Sequence, residues 1–268
     1  MFNTLRPIFL MFVAAMVLVA PAALLAAPSA AEIGVVVMHG KGGGPGKYVN
    51  GLAASFERAG FQVANLNMPW SHKRRYDVTM QEGVEEITRA LDAMRANGVR
   101  KVFVAGHSQG GLFAVHYAGL HPVDGVLPIA PGGQVDSAFN VANLAPYIEK
   151  AKQMVNEGRG REKAVFAEFE GAKGSIPFST TAAIYLDWFD PNGAHTSRVF
   201  KSVKPGTPVL YVAPLRDYPA LVRSKQQAFS TLAPHPKTRM YEPDSDHVGA
   251  PDAAAEEAVR WVREVAEQ

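Results

Sequence analysis

The chain has 268 residues, of which 47% are hydrophobic and 19% charged, with a formal net charge of +2. That length suffices for one large α/β domain with a sizeable core, and a charge so near neutrality argues against a dedicated nucleic-acid binder. The complete lack of cysteine excludes disulfides, thiol chemistry and a lipid-anchored lipoprotein.

The N-terminal stretch differs in composition from the rest. Arg6 is the only charged side chain before Glu32, and Ile8 to Ala27 is an apolar run interrupted by Pro21. Ser29-Ala30-Ala31 offers a small-x-small cleavage site, so residues 1–31 are expected to be a secretory signal peptide and 32–268 the mature domain. This predicts an exported protein, periplasmic or secreted, with no stable membrane anchor after cleavage.

Ile33 to Met38 is an apolar, β-branched run that predicts a strand buried on both faces. It ends in His39-Gly40-Lys41-Gly42-Gly43-Gly44-Pro45-Gly46, a glycine-rich loop that can bring backbone amides close to a ligand. A P-loop fails here, since Lys41 and Tyr48 stand where a glycine and a magnesium-binding hydroxyl belong. A loop that offers free amides to an oxyanion is the better reading. Val49, Leu52, Ala53 and Phe56 recur at helical spacing, and Phe61 to Leu66 is the next strand. The turn after it carries Trp70, a candidate substrate wall. Lys73-Arg74-Arg75 reads as a solvated loop, and Asp77 to Asn97 as a long amphipathic helix stopped by Gly98.

Lys101 to Leu112 holds the strongest functional signal. The apolar run Val102-Phe103-Val104-Ala105 leads into Gly106-His107-Ser108-Gln109-Gly110, and a helical pattern begins at Gly110. This fits G-x-S-x-G, where the serine occupies a tight strand-to-helix turn and the glycines avoid collisions with neighbouring backbone. Such a turn exposes the Ser108 hydroxyl. It also leaves the Gln109 amide at a helix N-terminus, where developing negative charge is favoured. His116 and His121 follow at a spacing that puts them on different helix faces, which argues against a metal pair, and no metal site is expected.

Gly125 to Ala130 is a fourth strand, weakened by Pro128. From 131 to 207 no convincing buried strand appears, only helical stretches such as Leu144 to Asn156 and Arg161 to Phe169, then the aromatics Tyr185, Trp188 and Phe189. An insertion of this length reads as a helical lid or pocket wall, with Trp188 a second candidate for substrate binding. Regular alternation returns with a strand at Pro208 to Ala213, a helix from about Pro219 to Leu232, a strand at Thr238 to Glu242 and a closing helix around Trp261.

Polar groups land at strand C-terminal ends, where ligands bind in open parallel sheets. Ser108, Asp217 and His247 each follow a strand. A serine hydroxyl needs an imidazole to take its proton, and the imidazole needs a carboxylate to fix its tautomer. Asp244, Asp246, Asp136 and Asp187 remain alternatives for the acid, and His195 is the second candidate for the base. His39 and His107 read as structural.

On the elbow Gly106-His107-Ser108-Gln109-Gly110, the His39-Gly40 glycine loop and the chain order Ser, Asp, His, the sequence from Ile33 to Glu267 resembles the α/β-hydrolase family of serine esterases and lipases. The resemblance implies a doubly wound, mostly parallel sheet of about six strands in the order 2-1-3-4-5-6, lacking the two opening strands of the common pattern. It implies Ser108 as nucleophile, His247 as base and then acid, Asp217 as orienting carboxylate, and the amides of Gln109 and Lys41 as oxyanion donors. The expected activity is hydrolysis of a small-molecule carboxylic ester with no cofactor; a peptidase or amidase on the same residues, or a non-catalytic binding protein of this fold, is the alternative.

Overall fold

A computed structural model describes residues 27–170 and 173–267. The expected signal peptide lies, for residues 1–26, outside the described residues. No helix among the described residues is long and apolar enough to cross a membrane.

Six parallel strands form the central sheet: β1 (Ile33–Met38), β2 (Gln62–Leu66), β3 (Lys101–His107), β4 (Gly125–Ile129), β7 (Leu210–Val212) and β8 (Arg239–Tyr241), in the order β2-β1-β3-β4-β7-β8. This is the doubly wound order expected. The apolar runs are continuous because both faces of the sheet are covered. Val36, Met38 and Val104 point into one core with α2 (Met80–Ala96) and α3 (Gln109–Leu120), while Val35, Val37, Phe103 and Ala105 point into the other. That second core is closed by α1 (Asn50–Arg58) and α8 (Ala255–Ala266) through Phe56, Trp261 and Val262.

Local chemistry sets the ends of these elements. Thr79 and Glu82 form a reciprocal capping box at the start of α2, and Gly98 takes the left-handed backbone (φ 89°) just past its end. Arg74 is not a freely solvated side chain: its guanidinium forks onto Glu86 at 2.7 Å from each nitrogen and also reaches Asp77 and the Asn67 carbonyl. It pins the loop between β2 and α2.

The insertion at 131–207 departs from expectation. Helix α4 (Ala138–Asn156) begins six residues earlier than the periodicity predicts, capped by the Ser137 hydroxyl, which accepts from the Asn140 amide. Pro146 lies inside it and hides the first half from a pattern reading, since proline is disfavoured in helix interiors. Arg161 to Phe169, expected to be helical, is instead the first arm of an antiparallel hairpin, β5 (Lys163–Glu170) and β6 (Gly174–Thr181). The aromatic and β-branched side chains of both arms favour a pleated surface. Phe166 stacks on Tyr185 of α5 (Ala182–Phe189) at 4.4 Å between ring centroids, a contact the extended arm presents. The remaining helices are α6 (Pro219–Ser230), between β7 and β8, and the single turn α7 (Ala250–Ala253), before α8.

Candidate active site

The elbow is built by exclusion of side chains. A Cβ at Gly106 would stand 2.2 Å from the Gly110 carbonyl oxygen, and one at Gly110 would stand 2.6 Å from the Met38 and His39 carbonyls. Only glycines allow β3, β1 and α3 to approach so closely. Between them Ser108 is held at φ 54°, ψ −118°, an unfavourable backbone for a residue with a side chain. Its amide donates to the Ile129 carbonyl at 2.9 Å, and its own carbonyl accepts from Gly132 and Leu112 at 3.1 Å each. Neighbouring strands therefore fix the turn, and the serine is partly open to solvent.

Two loops on the far side of the sheet bring the other groups. The parallel pairing of β7 with β8 continues beyond the strand ends, since the Leu215 amide donates to the Pro243 carbonyl and the Arg216 amide to the Ser245 carbonyl, each at 3.0 Å. Arg216 thereby bridges Asp246, and the next residues in register are Asp217 and His247. His247 Nδ1 lies 2.6 Å from Asp217 Oδ1, and its Nε2 lies 3.0 Å from Ser108 Oγ. A carboxylate only accepts, so Nδ1 carries hydrogen and Nε2 is left bare toward the serine. Asp217 Oδ1 also accepts from the Tyr218 amide at 2.6 Å, and the half-exposed Tyr218 ring packs over His247 at 4.4 Å.

The other acids are engaged elsewhere. Asp136 caps Ser197, Asp187 accepts from the Met80 amide, Asp244 pairs with Arg216 and Asp246 accepts from the Gly249 amide. His39 and His107 also have structural partners. His39 Nε2 accepts from the Met68 amide at 3.1 Å, so its Nδ1–H donates to the Gly40 carbonyl at 2.8 Å. His107 Nε2 donates to the His247 carbonyl at 2.8 Å and so braces the histidine loop. Burial pushes His39 down to about 4 and His107 down to about 3, which keeps both neutral. Their neutrality spares the site two positive charges.

The amides of Gln109 and Lys41 have no hydrogen-bond acceptor among the described residues. They are available donors beside the serine turn and the glycine loop. The side chains of the same residues run into a buried polar network that the sequence did not reveal. Tyr76 Oη donates to Glu168 Oε2 at 2.7 Å and lies 3.1 Å from Gln109 Oε1. Lys41 Nζ donates to the Phe169 carbonyl at 3.1 Å and stands 3.7 Å from Glu168 Oε2. Glycine loop, elbow and inserted hairpin are thus tied together. Tyr76 has φ 56° and belongs to no recognisable motif, so only its contacts identify it.

The two tryptophans differ in role. Trp70 is 1% exposed, its indole N–H donates to the His39 carbonyl at 2.8 Å, and its ring packs edge-on against Phe113 and Trp188. It is core, not a substrate wall: the turn after β2 folds inward because its one polar atom finds an acceptor there. Trp188 lines a small cavity with Lys41, Gln109, Leu144, Phe169 and His195. No group of acidic, histidine or cysteine side chains able to hold a metal occurs among the described residues.

The profile of the family described as serine aminopeptidase, S33, matches residues 29–161. None of the curated proteins matches the chain in sequence. Among solved structures, the α/β hydrolase GrgF from Penicillium sp. sh18 is similar with a TM-score of 0.64 at 13% identity, over 86% of this chain and 89% of that one. The Paleococcus ferrophilus monoacylglycerol lipase is similar with a TM-score of 0.59 at 18% identity, over 87% and 94%. Est1E from Butyrivibrio proteoclasticus, solved with ferulic acid, is similar with a TM-score of 0.56 at 15% identity, over 86% of each chain. Residues 29–161 carry that family's profile, and the six-stranded parallel sheet together with the likeness to these solved structures shows that the chain has the α/β-hydrolase fold.

Proposed function

We propose that the protein is a serine hydrolase that cleaves a carboxylic ester through an acyl-enzyme on Ser108. One observation carries this reading: a serine oxygen 3.0 Å from a bare imidazole nitrogen whose other nitrogen is 2.6 Å from a carboxylate. His247 takes the Ser108 proton as Oγ attacks the substrate carbonyl, and Asp217 stabilises the imidazolium that forms. The oxyanion of the tetrahedral intermediate is held by the amides of Gln109 and Lys41, which need no reorganisation because the helix start and glycine loop already orient them. His247 then gives the proton to the leaving alcohol. A water, deprotonated by the same imidazole, releases the acyl group. The leading segment is read as an export signal, so the site would work outside the cytoplasm.

A peptidase reading has support from the description of the matched family as aminopeptidase. An aminopeptidase must hold a free ammonium, however, and the buried carboxylate of Glu168, which shares the Tyr76 hydroxyl with Gln109, is already paired with Lys41 and Tyr76. An ester needs no such anion. The test is hydrolysis of p-nitrophenyl esters against aminoacyl-arylamides, together with labelling by a fluorophosphonate. Ester turnover that falls by about 10⁴-fold or more in Ser108→Ala is the expected result; an unlabelled protein that turns over neither substrate overturns the enzyme reading.

A further inference from the structure

Of the two amides offered to the oxyanion, that of Gln109 opens α3, and the helix fixes it. The Lys41 amide belongs to no helix or strand. It lies in the run Gly40 to Gly46, where only Lys41 and Pro45 carry side chains, and glycine loses more conformational freedom on ordering than any other residue. The loop nevertheless sits against the nucleophile, since a Cβ on Gly40 would stand 3.2 Å from Ser108 Cβ. The Gly40 carbonyl accepts from His39 Nδ1 at 2.8 Å and from the Gly43 amide at 3.1 Å. In a trans peptide the carbonyl and the next N–H point in opposite directions, so the Lys41 N–H faces away from that turn.

The Lys41 side chain reaches into the insertion. Its Nζ donates to the Phe169 carbonyl at 3.1 Å and stands 3.7 Å from Glu168 Oε2, with the two side chains only 14% and 7% exposed. Glu168 is held in turn by the hydroxyl of buried Tyr76 at 2.7 Å. β5 pairs with β6 along its whole length, so residues 168 and 169 are set within a continuous ladder. Charges so enclosed add little net stability over well-packed apolar side chains, because each gives up its water. What this pair supplies is direction. An ammonium anchored at two oxygens limits where the lysine Cα, and the amide attached to it, can lie.

We propose that Lys41 and Glu168 are positioning residues for the oxyanion: the inserted hairpin grips the Lys41 ammonium through the Glu168 carboxylate and the Phe169 carbonyl, and so holds the Lys41 backbone amide in its donating orientation. The proposal rests on the acyl-enzyme reading. A misplacement of about 1 Å in a preorganised site costs on the order of 10²-fold in rate, and loss of a whole oxyanion donor on the order of 10²–10³-fold. The tether acts at one remove, so its loss falls below those limits. The amide itself survives any change of the side chain. A rate lost in Lys41→Met is therefore lost through the tether rather than through the donor.

Lys41→Met, which keeps the apolar stem, and Glu168→Gln, which keeps the shape, are compared with the parent protein on p-nitrophenyl butyrate, an uncharged ester. kcat should fall about 10-fold or more in the first and about 3-fold or more in the second, with KM within about 2-fold in both. The double variant should lose no more than Lys41→Met alone, since both changes act through one contact. Thermal unfolding confirms that each variant is folded, and Glu168→Gln carries the test if Lys41→Met does not fold. Affinity for pentyl trifluoromethyl ketone, followed by fluorine NMR, gives a reading that a merely structural role would not move. Ser108 Oγ adds to the ketone carbon, the hydroxyl proton passes to His247, and the carbonyl π pair moves onto oxygen as an alkoxide in the place of the oxyanion. The dissociation constant of this adduct should rise by the factor by which kcat/KM falls. Unchanged kcat in either folded variant, a rise in KM in place of the fall in kcat, additive losses in the double variant, or ketone affinity indifferent to residues 41 and 168 overturns the proposal. A parent protein that binds the ketone but hydrolyses no ester refutes the ester reading alone, and weaker ketone binding by Lys41→Met then still supports the tether. A parent protein that does neither overturns both.

Discussion

Asp217 and His247 occupy matching positions on two loops that prolong the parallel pairing of their strands, and their side chains meet at 2.6 Å. The backbone ladder, rather than side-chain packing alone, therefore sets the orientation of the imidazole. Replacing the carboxylate by an amide leaves this ladder intact but lets residue 217 donate to Nδ1, which puts the ring hydrogen on Nε2, where it can no longer accept the Ser108 proton. Asp217→Asn should fold normally and lose roughly 10⁴-fold in kcat. Steady-state kinetics on a p-nitrophenyl ester measures this, and a loss below tenfold would show that His247 needs no carboxylate.

A second expectation concerns the elbow. Gly110 has carbonyl oxygens of two residues of the β1 end within 2.6 Å of the position a Cβ would take, and backbone cannot yield as a flexible side chain does. Gly110→Ala should destabilise the fold by on the order of 2–3 kcal/mol or more, as overpacking does elsewhere. Urea unfolding of the variant beside Gly98→Ala provides the comparison. At Gly98 no atom lies within 4 Å and the cost is one of positive φ alone, so equal losses in the two variants would refute the steric account.

The polar network is a third place where one atom matters. The Tyr76 hydroxyl supplies the hydrogen bond that Glu168 receives inside the insertion, at 2.7 Å. Tyr76→Phe leaves a buried carboxylate short of a donor and should cost about 1–3 kcal/mol. It should also loosen Gln109, whose side chain loses the same partner, and raise KM for the ester more than it lowers kcat. A Tyr76→Phe protein with unchanged stability would mean that Lys41 alone satisfies Glu168.

Much of this architecture was legible from local pattern. The buried strands announce themselves because both sheet faces are covered, and the elbow does because only glycine fits where three backbones converge. Asp217 and His247 were reachable through chain order and strand ends. The hairpin at 163–181 was not, because the run Ala164 to Phe169 is short and apolar enough to suit either period, and its partner strand contains Pro177. Trp70 was ambiguous for a different reason: an indole at a strand end can turn in or out, and the deciding partner, the His39 carbonyl, is 31 residues away in sequence. Tyr76 and Glu168 matter only through contacts made across the fold, so no spacing could mark them. The Pro131-Gly132-Gly133 turn was a signal available at a strand end, and its place beside Ser108 gives it meaning.

The last expectation is an acid limit set by histidines. Burial holds His39 and His116 down to about 4, and His107 and His195 down to about 3, whereas all four titrate near 6.5 once unfolded. The unfolded chain therefore binds more protons than the folded one between these values. Stability is fully present above about pH 6.5 and is lost as the pH falls toward 4, by up to about 1.4 kcal/mol per pH unit for each histidine. Glu32, Glu82, Glu157 and Glu264 are held below the usual carboxylate range by hydrogen bonds, to Ser29, Thr79, Arg159 and Lys237 respectively, and their share of stability is lost only at still lower pH. The fall between pH 6 and 5 is accordingly assigned to imidazoles. His116 packs on Phe113 of the same helix, and His116→Phe should lower the slope of unfolding free energy against pH by close to one proton in that window. Urea titrations at half-unit pH steps supply the slope, and identical slopes in the two proteins would place the acid sensitivity elsewhere.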